Sequence, residues 1–279
     1  MLRDIQQIID APLVSMGHIR LRQPLPAAGL RQWSPFILLH HFDLELEPGD
    51  TRFDVPPHPH RGFMPITFMY DGAVEHQDSL GNSQVIGPDE VQWINAARGI
   101  IHAERTGREF ALQGGRFQGI QLWINLPASE KMKTPRYEAL TTDRMVVLQE
   151  NGATLRLVSG AYQGKKGPAT SSVLTAMIRM EPAGDLRLDL PANEHAFLYI
   201  LEGQVKVNDS PAHAHQLLTF GPSSGTITLQ GDTRASLLLG SGRPIEEPLV
   251  SHGPFVMNSQ TEIMEAMRDY QDGKMGFLY

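Results

Sequence analysis

Apolar residues in this chain come in short bursts, not in long runs or helical stripes. "PITFMYDG", "DEVQWINA", "FQGIQLWINL", "MVVLQE", "TLRLVSG", "SSVLTAMIRM", "AFLYILEGQVKV" and "TITLQG" each read as a strand bounded by turn-forming residues. Strands this short and this regularly spaced predict an all-β sandwich or barrel. One segment departs from the pattern. From about Gln260 to Asp272, Ile263, Met267 and Tyr270 recur at helical spacing, Ser259 and Glu262 form a capping-box pair, and Gly273 stands where a helix would stop.

The strand pattern repeats. Residues 58–79, "HPHRGFMPITFMYDGAVEHQDS", set without a gap over 189–210, "DLPANEHAFLYILEGQVKVNDS", match Phe68 to Tyr199, Asp71 to Glu202, Gly72 to Gly203, Val74 to Val205, Asp78 to Asp209 and Ser79 to Ser210. Both copies run apolar strand, acidic residue, turn glycine, strand, acidic turn. This predicts two similar β domains in tandem, 1–130 and 131–279. The polar segment "LPASEKMKTPRYEAL" (126–140) is the expected linker.

Composition narrows the chemistry. The 279 residues include no cysteine, which removes disulfides, thiol nucleophiles and thiolate metal sites. A metal site here must use His, Asp and Glu. The net charge is −7, and no basic block exceeds "GKKG", so direct nucleic-acid binding is not expected. No apolar run approaches the roughly 18 residues of a membrane span, and the N-terminus resembles neither a secretory signal nor a transit peptide. The expectation is a cytoplasmic protein.

"VPPHPHRGF" (55–63) then stands out. Residues i and i+2 of a strand point to one face, so His58 and His60 can enter one barrel together. "RGIIHAE" offers a second pair at the same spacing, His102 and Glu104. Two such pairs on neighbouring strands would set three imidazoles and one carboxylate around a point, a donor set suited to Fe, Mn, Ni, Cu or Zn. The prolines beside His58 limit the freedom lost when the segment orders.

These segments, with "YDGAVEHQDSLG", "VQWINAARGIIHAE", "QLWINLPASEKM" and "HGPFVMN", resemble the pirin family of the cupin superfamily over nearly the whole chain. The resemblance implies two tandem cupin barrels, the first holding one metal, most often Fe(II), on His58, His60, His102 and Glu104. In the repeat alignment His58 falls on Asp189, His60 on Pro191 and His102 on Thr233, so the second barrel is expected to have lost its ligands. Two positions depart from the family. Met64 stands where a glutamate is common, which bears on the substrate mouth, and "PDE" (88–90) replaces Pro-Gly-Asp.

The resemblance further implies a quercetin 2,3-dioxygenase type of activity, with O₂ and a flavonol-like substrate at the metal and Glu104 as base. Its alternative is a non-enzymatic, iron-dependent redox regulator that binds a transcription factor or metabolic enzyme. A bicupin chain already supplies the barrel pairing that single cupins obtain by dimerising, so a monomer is expected. The remaining signals are read as structural. "GPSSG" (221–225) matches a nucleophile elbow, but a strand follows where a helix is required. His213 and His215 read as a surface turn, His76 as a hydrogen-bonded strand histidine, and of the adjacent His40 and His41 at most one can point inward.

Overall fold

The computed structural model describes residues 1–278 and divides into two compact units. One comprises Val14–Leu21, Phe36–Thr141 and the chain from Ile245 onward. Its larger sheet orders the strands Arg136–Leu140, Val91–Asn95, Phe63–Asp71, Gly115–Asn125, Phe36–Leu46, Ile19–Leu25 and Leu13–Met16. Its smaller sheet orders Val55–His60, Ile100–Thr106, Val74–Asp78 and Ser83–Ile86. Phe42, Met69 and Phe117 of the large sheet pack on Val74 and Ile86 of the small one, so the core lies between the two sheets. Alternation of inward and outward residues along each strand makes this possible.

The other unit, Met1–Leu13, Arg22–Pro35 and Thr142–Pro244, has the same plan. Seven strands, Ile5–Asp10, Gln216–Phe220, His195–Glu202, Ala235–Gly242, Leu174–Met180, Ala153–Ser159 and Val146–Glu150, face four, Asp185–Asp189, Thr226–Gly231, Gln204–Val207 and Ser210–His213. The two expected cupin barrels are thus present. They are not consecutive halves of the chain as the 1–130 and 131–279 division supposed. The first thirteen residues belong with the later barrel, where Ile5–Asp10 pairs with Gln216–Phe220. The residues from Ile245 belong with the earlier one.

The expected linker is not a linker. Ala128–Lys131 forms a helical turn, and Arg136–Leu140 is a barrel strand paired with Val91–Asn95. Lys131 is only 1% exposed, and its Nζ donates to Gly62 O (2.6 Å), Asn125 Oδ1 (2.6 Å) and Val256 O (2.9 Å). A polar residue read as solvated is instead buried among acceptors.

The helix expected near the C-terminus spans Gln260–Gln271, and Ser259 and Glu262 cap it reciprocally. Its buried face is Ile263 and Ala266. Met267 and Tyr270, expected in the apolar stripe, are each 39% exposed.

The repeat holds in detail from Phe63 to Asp78. Thr67 pairs with Gln121 and Gln92 where Leu198 pairs with Leu239 and Leu218. Both strands slip register at the same point, between Met69 and Asp71 and between Ile200 and Glu202. Both then turn on a glycine of positive φ, +78° at Gly72 and +83° at Gly203. Upstream of Phe63 the gapless alignment fails. Glu104 pairs with His76 as Leu229 pairs with Val207, so His102 corresponds to Ile227 and not to Thr233. Ile227 pairs with Leu188 as His102 pairs with His58. His58 and His60 therefore correspond to Leu188 and Leu190, one residue from the expected Asp189 and Pro191. The connection before the repeated strand is one residue longer in the second barrel, and a one-residue slip exchanges the faces of a strand.

Candidate metal centre

The strand Val55–His60 carries Pro56, Pro57 and Pro59. It lies at the edge of its sheet, where missing N–H donors are tolerated. It runs antiparallel to Ile100–Thr106 with His58 opposite His102, and the register slips at the prolines so that Glu104 faces Val55. On its other side Ile100–Thr106 sets His102 opposite Asp78 and Glu104 opposite His76. The two i, i+2 pairs read from the sequence are therefore on adjacent strands.

One ring nitrogen from each of His58, His60 and His102 lies within 4.8 Å of the others. His60 and His102 are buried, and His58 is half-buried. His58 Nδ1 donates to the Pro56 carbonyl (2.9 Å), which leaves the Nε2 lone pair facing His60 Nε2 at 3.1 Å. His60 Nδ1 and His102 Nε2 are buried without a hydrogen-bond partner among the described residues. Burial, then the neighbouring imidazoles, holds the pKa of both rings well below the ordinary histidine value. Three converging ring nitrogens, one of them the partnerless His102 Nε2, form a donor set that a metal ion fits.

Glu104 is 4% exposed and stands outside that cluster of three. Its Oε1 accepts from Gln92 Nε2 (2.6 Å) and Thr67 Oγ1 (3.4 Å), and its Oε2 accepts from Gln121 Nε2 (3.4 Å). Gln121 in turn accepts from Trp123 Nε1 (3.1 Å), and Trp123 packs on Phe63 and against the edge of His60. His58, Gln121 and Trp123 keep some solvent exposure. Of the two aromatics in "RFQGIQLW", Trp123 stands at the histidines, whereas Phe117 is packed among Phe42, Phe53 and Phe110.

Met64 is buried, but its strand alternates, so it lies on the face opposite Phe63 and Thr67. The loss of a carboxylate there takes nothing from the wall that holds Glu104. The sequence reading missed Gln92, Thr67 and Gln121, because a neutral polar residue in a strand is unremarkable until its partner is known. A usable signal was in the repeat: the second barrel has Leu218, Leu198 and Leu239 at these places and Leu229 at that of Glu104, all in its apolar core.

His76 is fully buried, as the reading of a bonded strand histidine requires. Its Nε2 donates to Asp78 Oδ2 (3.0 Å), and its Nδ1 lies 3.4 Å from His102 Nδ1. Burial pushes the Asp78 carboxyl up, but hydrogen bonds from His76 and Asn82 outweigh this and hold it below its ordinary value. Tyr137 stacks on His76 at 4.2 Å between ring centroids and 8° between planes. The other motifs remain apart from the cluster. "GPSSG" joins two strands, and His213 is exposed. Of the adjacent pair, His41 is buried, while burial lowers His40 to about 4.

Two family models match this chain: Pirin over residues 18–124 and Pirin C-terminal cupin domain over residues 175–276. The chain is also 39% identical to Pirin-1 of Arabidopsis thaliana, across 87% of this chain and 84% of that one. It belongs to the pirin family. Another pirin-like protein, from Caulobacter vibrioides, is 34% identical over 98% of this chain and 99% of its own. Among solved structures, quercetin 2,3-dioxygenase from Acinetobacter baumannii matches with a TM-score of 0.92 and 30% identity, covering 100% of both chains. In this pirin no helix among the described residues is long and apolar enough to cross a membrane.

Proposed function

We propose that this pirin is a metal-dependent dioxygenase of the quercetin 2,3-dioxygenase type, its metal held by His58, His60, His102 and Glu104 and most readily Fe(II). The observation that carries the reading is the convergence of three imidazoles, with His102 Nε2 buried and without a partner, beside a buried carboxylate. The likeness to a solved quercetin 2,3-dioxygenase supports the substrate class. Bound there, the metal would bring O₂ and a substrate oxygen together and pass electron density between them.

The chain's own residues supply the rest. Glu104 is the base that takes the proton of an incoming hydroxyl. Gln92, Thr67 and Gln121 orient its carboxylate. Trp123, tied to Glu104 through Gln121, offers a flat face where a planar substrate can stack.

The test is O₂ uptake by Fe(II)-loaded protein given quercetin, beside a Glu104→Ala variant of verified metal content. Uptake matched by flavonol loss, and abolished in the variant, is the expected result. A filled site with no uptake would end the flavonol reading. The alternative would then stand first, a redox regulator whose ferrous and ferric forms bind a protein partner differently.

A further inference from the structure

Behind His102, on the side away from His58, three side chains form a line across two strands. Asp78 Oδ2 accepts from His76 Nε2 at 3.0 Å, and His76 Nδ1 meets His102 Nδ1 at 3.4 Å. Asp78 is itself fixed. Oδ1 accepts from the backbone N–H groups of Leu80 (2.9 Å) and Asn82 (3.0 Å), and Asn82 Nδ2 donates to both carboxylate oxygens. A carboxylate receiving this many hydrogen bonds offers only lone pairs, so the proton of its bond to His76 belongs to Nε2. With its one proton on Nε2, the His76 ring presents a lone pair at Nδ1. Two facing nitrogens need one proton between them, and it must come from His102 Nδ1. That choice leaves His102 Nε2 bare, and Nε2 is the buried atom with no partner. The Tyr137 ring, parallel to His76, keeps the imidazole plane from rotating out of the line.

We propose that Asp78 and His76 are positioning residues that set the tautomer of His102, holding its proton on Nδ1 so that Nε2 always faces the site as a lone pair. The pair also makes His102 a stronger donor, because the carboxylate at the far end stabilises positive charge passed along the line. The second barrel agrees: Val207 stands in the place of His76, and Ile227 in that of His102. The inference rests on the metal reading of this site, but its first test needs no metal.

Long-range ¹H–¹⁵N spectra of the metal-free, full-length protein at neutral pH report the tautomer of each histidine directly. His102 should carry its proton on Nδ1 and His76 on Nε2. A proton on His102 Nε2 overturns the proposal. Next, Zn(II) affinity is measured by competition with a chromophoric chelator for wild type, Asp78→Asn and His76→Phe, the last keeping a ring for Tyr137. About a 10–100-fold loss of affinity is expected in both variants, with His102 present as mixed tautomers. Affinities within twofold of wild type would overturn the role in metal binding. Should a variant misfold, the wild-type spectrum still decides. Wild-type protein that shows the expected tautomers but binds neither Zn(II) nor Fe(II) would refute the proposed function and leave the tautomer assignment intact.

Discussion

Gln92 shows how much of this site depends on groups that would not themselves hold a metal. Its amide makes the shortest hydrogen bond to Glu104, 2.6 Å, in a place where the second barrel has Leu218. Replacing Gln92 with Leu copies the second barrel's solution into the first. The carboxylate would lose its strongest orienting bond and keep two weak ones from Thr67 and Gln121. Partners of this kind are worth about 10–100-fold in metal affinity. A chelator-competition titration of Gln92→Leu should show that loss. Unchanged affinity would mean that Glu104 is held well enough without it. At this scale the sequence was explicit about imidazoles and carboxylates, whose chemistry is visible alone. It was silent about amides, whose role exists only through a partner brought from another strand.

Among the elements, the segment that docks beside the strand of His58 and His60 matters most. Arg61 N–H donates to the Pro254 carbonyl, Val256 N–H donates to the Arg61 carbonyl, and Arg61 Nη1 pairs with Asp269 at 3.0 Å. Lys131 ties Gly62 and Val256 together from below, and burial pulls its pKa to about 8 against the opposing pull of Glu247 and Glu262. Lys131→Met would leave three buried acceptors unsatisfied. Each is worth about 1–3 kcal/mol, offset in part by no longer burying a cation, so a net loss on the order of 2 kcal/mol in urea unfolding is expected. Gly62 is a sharper test. Its φ is +90°, and a Cβ there would lie 1.9 Å from the Val256 carbonyl oxygen. Gly62→Ala should cost at least about 1 kcal/mol and also weaken metal binding, because His60 is two residues away. A variant with wild-type unfolding and wild-type Zn(II) affinity would show that the docked segment yields freely.

Period and turn chemistry located most of the strands and the capped helix, since those signals are local. They misjudged 126–140 because the burial of Lys131 depends on carbonyls contributed by residues 62 and 256. They also misplaced the helix's apolar face, since Ala266 carries too little apolar surface to announce itself.

For the molecule as a whole, proton linkage follows from the buried histidines. His60 and His102 titrate well below the ordinary value, and His40 at about 4, in each case chiefly through burial. A depressed folded-state pKa means that the unfolded chain binds protons first as the pH falls. The metal-free protein should therefore hold its full stability above about pH 6.5 and lose it progressively toward pH 4. Thermal midpoints at pH 7.5, 6 and 5 check this, and a midpoint that rises on acidification would contradict it. Metal binding should steepen the same trend, because the ion binds only neutral imidazole, and saturating Zn(II) at 100 times Kd should add about 2.7 kcal/mol near neutral pH.

The amino-acid sequence determined the β architecture, the duplication, the three histidines and the neighbouring Glu104, because each follows from short-range alternation or from residue chemistry that needs no neighbour. Tertiary structure alone decided which residues complete each barrel, since strand pairing between distant segments is not encoded at either segment by itself. It also decided the true partners of His58 and His60 in the second barrel. One extra loop residue reverses the parity of a strand, and only the hydrogen-bonded register reveals that Leu188 and Leu190 fill the place where the first barrel keeps its histidines.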